Sequence, residues 1–258
     1  MLIFLCREER LDIILQYLKS HRQVRIEEIC SLCDVSRDTA RRDVVYLDEQ
    51  GLIQRTRGGA RLANHKHSIK PYTERLNEVS KEKKAIGLLA STLIEDGDTL
   101  ILDTSTTVQF CAENIDAIDC KIITNSINQA EILSYKDLIS VYLLGGRLNS
   151  DHKYLYGQTT IDMLKNYRAD KCFIGVCGIS PRGVSIVHEE EGQVMKAMVK
   201  QSNQIIVLTD HTKLNRDEFF LFSDLSFIDI LVTDVMPDED LLIALKNNNI
   251  KLLVTEVM

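Results

Sequence analysis

Tryptophan is absent, and the chain carries only three prolines and twelve glycines in 258 residues. That scarcity removes collagen-like and low-complexity readings. Also missing is any run of about 20 uninterrupted apolar residues, the length a helix needs to cross a bilayer. The opening Met1-Leu2-Ile3-Phe4-Leu5-Cys6 is apolar, but Arg7-Glu8-Glu9-Arg10 cuts it short of a secretory h-region, and no basic stretch precedes it. No disulfide framework is evident either. Seven scattered cysteines without a signal peptide point to reduced thiols and a cytoplasmic protein with no membrane partner. Cys30 and Cys33 form a Cys-x-x-Cys pair, yet no second Cys or His pair follows at finger-like spacing and both fall on the apolar side of a predicted helix, so they read as core residues. The sequence implies no metal ligands and no cofactor. His65 and His67 read as solvated linker residues. What remains is an ordinary globular composition, 45% hydrophobic and 27% charged, long enough for two domains.

The net charge of −7 is unevenly spread. Residues 1–70 hold 13 Lys and Arg against 10 Asp and Glu, a net of +3, which leaves −10 for residues 71–258. A basic end on an acidic body suggests that one end meets a polyanion. The pattern there sharpens the reading. Leu11, Ile14, Leu15 and Leu18 keep the i, i+3, i+4, i+7 spacing of an amphipathic helix. A second helix is expected over 25–33, burying Ile26, Ile29 and Cys30. Asp34-Val35-Ser36 then makes a tight turn, with Ser36 placed as N-cap of a third helix running from Arg37 to about Gln50. Ala40, Val44 and Leu47 share that helix's buried face, and Gly51 follows as its stop.

This third helix presents Arg37, Thr39, Arg41 and Arg42 in its first two turns, where a recognition helix meets the major groove and arginines pair with guanine. Residues 52–62 alternate as strands around Gly58-Gly59 and carry Arg55, Arg57 and Arg61, the composition of a basic wing lying along phosphates. The competing reading is a protein-binding helical module whose arginines pair with Asp38, Asp43 and Asp48.

The run Val35-Ser36-Arg37-Asp38-Thr39-Ala40-Arg41-Arg42-Asp43, with Leu47-Asp48-Glu49-Gln50-Gly51-Leu52-Ile53 and Arg55-Thr56-Arg57-Gly58-Gly59-Ala60, resembles the winged helix-turn-helix of DeoR-type bacterial regulators. That pattern usually has Ile where Ala40 stands and His where Arg57 stands. The resulting division is a winged helix-turn-helix over 1–62 (helix-turn-helix about 24–43, wing about 52–62), a linker over 63–80 where the apolar period fails, and an effector-sensing domain over 81–258.

In the larger domain, short apolar runs at 99–102, 121–124, 139–144, 172–176, 204–208, 228–232 and 251–255 alternate with helical patterns. This is the signature of a doubly wound, mostly parallel α/β sheet covered on both faces. Ligands in such sheets bind at the carboxyl ends of strands. Four such ends attract attention: Asp103-Thr104-Ser105-Thr106-Thr107, rich in hydroxyls and opening a helix; Asn125-Ser126; Gly145-Gly146-Arg147; and Thr209-Asp210-His211-Thr212-Lys213. The expectation is that they converge on one phosphate pocket, with Arg147 and Lys213 as its cations. The lysine run 81–84 reads as a solvated first turn of a helix reaching Ile94.

This region, through Phe173-Ile174-Gly175-Val176-Cys177-Gly178-Ile179 and Lys196, also resembles the DeoR-type effector domain, which is similar in fold to ribose-5-phosphate isomerase and typically takes phosphorylated sugars. The family more often has Gly where Ser105 stands and Ser where Thr212 stands. The resemblance implies a transcriptional regulator, most often a repressor, controlled by a sugar phosphate. A palindromic operator in double-stranded DNA then calls for a homo-oligomer, dimer or tetramer. An isomerase bearing a nucleic-acid-binding extension is the alternative. Against it, the isomerases' acidic run is replaced by Cys177-Gly178-Ile179-Ser180, and Glu189, Glu190 and Glu191 are explained as a helix's acidic first turn. No catalytic residue is expected.

Overall fold

A computed structural model describes residues 6–21, 23–49, 52–62 and 69–255. Gly51, His65 and His67 lie outside them, as does the 63–68 part of the expected linker. The chain divides into two units, residues 1–68 and 69–258.

In the first unit, α1 (Arg7–His21) buries Ile14 and Leu18, one turn apart, with Leu11 and Leu15 at the margin of the same cluster. A short strand β1 (Gln23–Arg25), unforeseen in the sequence, leads into α2 (Ile26–Cys33). The Arg25 N–H donates to the Glu28 carboxylate at 2.6 Å and fixes the start of α2. Its buried residues are Ile26, Ile29 and Cys33. Cys33 therefore takes the place expected for Cys30, because the i, i+3, i+7 positions lie nearer one line on the helix than i+4 does. Asp34 closes the helix in the left-handed region at φ 51°. Ser36 then caps α3 (Arg37–Glu49): its hydroxyl accepts the Thr39 N–H at 3.3 Å, and Ala40, Val44 and Leu47 are buried as expected.

Strands β2 (Ile53–Thr56) and β3 (Gly59–Leu62) form the wing, and β1 pairs with the other side of β3. The two wing glycines have different reasons. Gly58 sits in the turn at φ 106°, whereas Gly59 lies in the strand, where a Cβ would stand 2.0 Å from the Val24 carbonyl oxygen. Only a residue without a side chain lets β1 reach β3.

The second unit begins with α4 (Tyr72–Asn77) and α5 (Ser80–Ser91). Residues 69–80, read from the sequence as linker, thus belong with the second unit: Tyr72 is 1% exposed, its hydroxyl donates to Gln109, and its N–H donates to the Asp151 carbonyl. Six helical residues give too short a period to show against a polar background. The chain continues β4 (Thr99–Leu102), α6 (Thr106–Glu113), β5 (Cys120–Thr124), α7 (Ile127–Leu133), β6 (Ile139–Leu143), β7 (Arg147–Asn149), β8 (Tyr154–Tyr156), α8 (Gln158–Leu164) and β9 (Ala169–Gly175). It ends with β10 (Gly178–Ser180), β11 (Gly183–Ile186), α9 (Glu189–Lys200), β12 (Ser202–Leu208), β13 (Phe220–Ser223), β14 (Ile230–Thr233), α10 (Glu239–Asn247) and β15 (Lys251–Val254).

All seven expected strands join one parallel sheet in the order β15-β14-β12-β9-β4-β5-β6. Alternate side chains feed opposite faces: Leu100 and Leu102 enter one core cluster and Ile101 the other, so both faces are covered. Two antiparallel pieces, the β7–β8 hairpin and the β10-β11-β13 sheet, were not legible in strands of three or four residues. The winding has a direct consequence. From β4 the chain runs outward through β5 to β6, then returns to β9 on the other flank of β4 and runs outward through β12. The order reverses between β4 and β9, which is where open α/β sheets leave a crevice.

Candidate nucleic-acid interface and ligand cleft

On α3, Arg41 and Arg42 are exposed and in no ion pair among the described residues. Of the acidic residues that might have paired with them, Asp38 is exposed, and Asp43 and Asp48 are otherwise engaged. Asp43 is 2% exposed and accepts two bonds from the Arg10 guanidinium at 2.8 and 3.1 Å, with Arg7 3.9 Å away. Asp48 accepts the Arg55 backbone N–H at 3.0 Å. The Arg-Arg-Asp run therefore turns one side chain inward to lock α3 to α1 and leaves two cations outward. Arg37 forms an exposed ion pair with Glu27, which weakly restrains it. Thr39 is half-buried with its hydroxyl 3.0 Å from that of Ser36, so this pair shapes the helix start. In the wing, Arg55 and Arg57 are exposed and Arg61 holds Gln54. Gly58 is exposed, but Gly59 is covered by β1 and has a packing role.

In the second unit, a cleft opens at the switch point. Its lining comes from the ends of three adjacent central strands: Ser105, Thr106 and Thr107 after β4, Gly175 and Val176 at β9, and Leu208, Thr209, Asp210, Thr212 and Lys213 after β12. Arg75, Glu78, Val79 and Lys83 from α4, α5 and their joint close it. Ser105 caps α6, its hydroxyl accepting the Val108 N–H at 3.0 Å from an extended φ of −71°, so no left-handed residue is needed there. A Cβ on Gly175 would lie 2.3 Å from that Ser105 side chain, which explains the glycine opposite. Lys213 and Arg75 reach the cleft without an ion pair among the described residues; Arg75 Nε donates to the Lys70 carbonyl at 3.1 Å.

Several expected contacts lie elsewhere. Asp103 is 3% exposed and accepts the N–H groups of Ser105 and Gly175, both at 2.8 Å, stitching β4 to β9. Burial raises its pKa to about 7, with the two N–H bonds and the Arg75 charge opposing. Thr104 donates to the His152 carbonyl. Asn125 and Ser126 follow β5, where Asn125 holds the Leu155 carbonyl at 2.8 Å and Ser126 caps α7. Gly145 and Gly146 admit α8: the Gly145 carbonyl accepts the Thr160 hydroxyl, and a Cβ on Gly146 would stand 2.1 Å from the Thr160 oxygen. Arg147 is exposed on β7, 5.8 Å over the Tyr156 ring. The four strand ends do not share one pocket because β5 and β6 lie on the flank of β4 away from β9 and β12.

One further expectation is corrected and one extended. Lys83, read as part of a solvated turn, is 6% exposed and donates to the carbonyls of Arg75 and Glu78 at 2.6 and 2.7 Å, with its pKa lowered by burial. Glu191 does stand in the acidic first turn of α9, but the dipole is not its whole setting: its Oε2 is buried with no hydrogen-bond partner among the described residues, and burial lifts its pKa to about 7 against the Arg75 charge. Arg75 itself was missed because it lies in the stretch read as linker. Among the described residues no group of three His, Cys, Asp or Glu is arranged to hold a metal, and no helix is long and apolar enough to cross a membrane.

Comparison with known proteins adds to this geometry. Residues 10–66 match the DeoR-like helix-turn-helix domain, and residues 78–235 match the DeoR C terminal sensor domain. The chain is 51% identical over 250 residues to the HTH-type transcriptional repressor GlcR of Bacillus subtilis (strain 168), covering 97% of each chain. It is 30% identical to the lactose phosphotransferase system repressor of Streptococcus mutans (91% of this chain, 95% of the relative) and 29% identical to the glycerol-3-phosphate regulon repressor of Escherichia coli K12 (93% and 95%). Among solved structures, a D-ribose-5-phosphate isomerase in complex with phospho-erythronic acid aligns over 53% of this chain and 55% of its own at a TM-score of 0.40 and 18% identity. With both domain models matched in order and a relative at half identity along nearly the whole length, the chain belongs to the DeoR family of DNA-binding transcriptional regulators.

Proposed function

We propose that this regulator is a cytoplasmic repressor of carbohydrate-metabolism genes whose hold on operator DNA is controlled by a phosphorylated sugar, bound by its phosphate at the switch-point cleft. The observation that carries the reading is the convergence, at one cleft, of two cations outside any ion pair among the described residues, Arg75 and Lys213, with the hydroxyl-rich start of α6. The first amides of a helix and its positive dipole end favour an anion, and Thr106 and Thr107 add hydroxyl donors. The names of two relatives, a glycerol-3-phosphate regulon repressor and a lactose phosphotransferase system repressor, accord with a phosphorylated effector. On the DNA side, Arg41 and Arg42 read bases, Arg37 adds a contact at the helix start, and Arg55 and Arg57 lie along phosphates. A homo-oligomer presents two such heads to a symmetric site.

Control requires that ligand bind the DNA-competent and DNA-incompetent states with different affinity. Arg75 supplies a handle, since it stands on α4, the first helix after Ser68. The joint between α4 and α5 is under tension: Val79, a β-branched residue, sits in the left-handed region at φ 50° and lines the cleft. Phosphate drawn to Arg75 and Lys213 biases that joint.

The test is Thr106→Ala combined with Lys213→Ala in the full chain. Operator affinity without ligand is expected to stay within about twofold, and the response to sugar phosphates to disappear. An unchanged response contradicts the cleft assignment. Turnover of ribose 5-phosphate by the wild-type chain would favour the enzyme reading instead.

A further inference from the structure

Four buried side-chain polar atoms have no hydrogen-bond partner among the described residues: Asn125 Oδ1, His152 Nδ1, Glu191 Oε2 and Thr209 Oγ1. Thr209 lines the phosphate cleft. The other three gather around β8. Asn125 donates its Nδ2 to the Leu155 carbonyl and its backbone carbonyl accepts the Leu155 N–H, both at 2.8 Å. The His152 ring stacks on Tyr154 with centroids 6.2 Å apart and stands 5.7 Å from the His188 ring. The Tyr154 hydroxyl interacts with the Glu191 carboxyl. One turn links this cluster to the cleft: Thr104 donates to the His152 carbonyl at 3.4 Å, and the next residues, Ser105, Thr106 and Thr107, line the cleft. The Arg75 charge lowers the pKa of Asp103, His152 and Glu191 alike, against or beside the larger effect of burial.

Leaving a buried polar atom unpaired is costly, and such atoms in a folded protein call for an explanation. Asn125 and His152 are 2% and 6% exposed, so neither exchanges freely with bulk solvent. Their chemistry specifies what would satisfy them. Asn125 Oδ1 only accepts. Glu191 Oε2 accepts when ionised and donates when protonated. His152 is neutral at pH 7, its pKa lowered to about 4 chiefly by burial, so Nδ1 donates or accepts according to tautomer. A chain of hydroxyls, each able to donate one bond and accept others, fits this set. An acyl chain leaves all three atoms unpaired, and Glu191 in its ionised form repels a second phosphate.

We propose that Asn125, His152 and Glu191 form a hydroxyl-reading subsite beside the phosphate cleft, which takes the polyol end of a sugar monophosphate and discriminates against bisphosphates. This rests on the reading of the cleft as the phosphate site and names the groups that choose the sugar.

Calorimetric titration of the full chain tests it with inorganic phosphate, glycerol 3-phosphate, ribose 5-phosphate, glucose 6-phosphate and fructose 1,6-bisphosphate as probes. Wild-type protein is expected to bind at least one sugar monophosphate tenfold or more tighter than inorganic phosphate, and fructose 1,6-bisphosphate more weakly than that monophosphate. Glu191→Gln, which keeps volume, and His152→Phe, which keeps the stacked ring, are each expected to remove at least tenfold of the monophosphate preference while inorganic phosphate affinity moves less than twofold. Thermal melts without ligand establish that each variant is folded, and His152→Phe stands if Glu191→Gln is not. Folded variants that retain the full preference overturn the subsite and leave the phosphate cleft intact. If no probe binds the wild-type chain, inorganic phosphate included, the underlying cleft reading fails.

Discussion

Removing Arg10 from beneath α3 offers the sharpest test of how the DNA-binding unit is held. The Asp43 side chain is 3% exposed and the Arg10 side chain 14%, with two bonds between them at 2.8 and 3.1 Å. Arg10→Met keeps the apolar stem and deletes the charge, leaving a buried carboxylate whose remaining ion-pair partner among the described residues is the half-exposed Arg7, 3.9 Å away. Breaking a buried pair from one side costs about 3–5 kcal/mol, and the nearby Arg7 places the expected loss toward about 3 kcal/mol. A unit of this size commands only about 3–9 kcal/mol in total, so much of its stability is at stake. Native-state hydrogen exchange at the α1 and α3 amides reads the loss within the intact chain, separately from the second unit. The double variant Arg10→Met with Asp43→Leu removes the stranded charge and is expected to recover at least half of the loss. A loss under about 1 kcal/mol, or a double variant no better than the single one, would refute the reasoning.

The wing glycines separate by mechanism: Gly58→Ala is expected to cost about 1–2 kcal/mol of backbone strain, whereas Gly59→Ala drives a methyl into the Val24 carbonyl and should strip exchange protection from β1. Val79→Gly relieves a left-handed β-branched residue and should raise the melting temperature of the second unit; a drop would mean that the joint is not strained. Asp103 and Glu191 both keep protons in the folded state up to about pH 7 that the unfolded chain sheds near pH 4. Their contribution is therefore fully present below about pH 4 and lost as pH rises to 7, so melting of the second unit should fall over that window, less steeply in Glu191→Gln. Arg41→Ala and Arg42→Ala are each expected to weaken operator binding by about 1–3 kcal/mol and to relax base preference. Equal loss on unrelated DNA would make them phosphate contacts.

The sequence carried much of this architecture because its signals were local. Each of the seven sheet strands is a short apolar run between breakers, and Ser36, Thr39 and the Ala40, Val44, Leu47 stripe declare a capped helix without reference to anything distant. Strand order is not local, and that is where the site reading parted from the structure. Gly145, Gly146 and Arg147 looked equivalent to the turns after β4 and β12, but β6 is the far edge strand, and its glycines serve contact with Thr160. Lys83 looked solvated, and Glu191 looked like no more than a helix-start acid, because they stand in charged runs. The burial of Lys83 and of the Glu191 Oε2 follows from what α5 and α9 pack against, which no residue beside them announces. Arg75 escaped notice for the opposite reason, since six helical residues after Pro71 were too few to show a period.

The central claim joins a DNA-reading head to a phosphate-taking cleft. The direct measurement is the affinity of the full chain for DNA from its own upstream region, by fluorescence anisotropy at fixed salt, across a panel of phosphorylated sugars and their unphosphorylated counterparts. The account predicts a sequence-preferring complex whose dissociation constant moves at least tenfold with one phosphorylated sugar and not with the same sugar lacking phosphate. Sequence-preferring binding that ignores every phosphorylated sugar would contradict it.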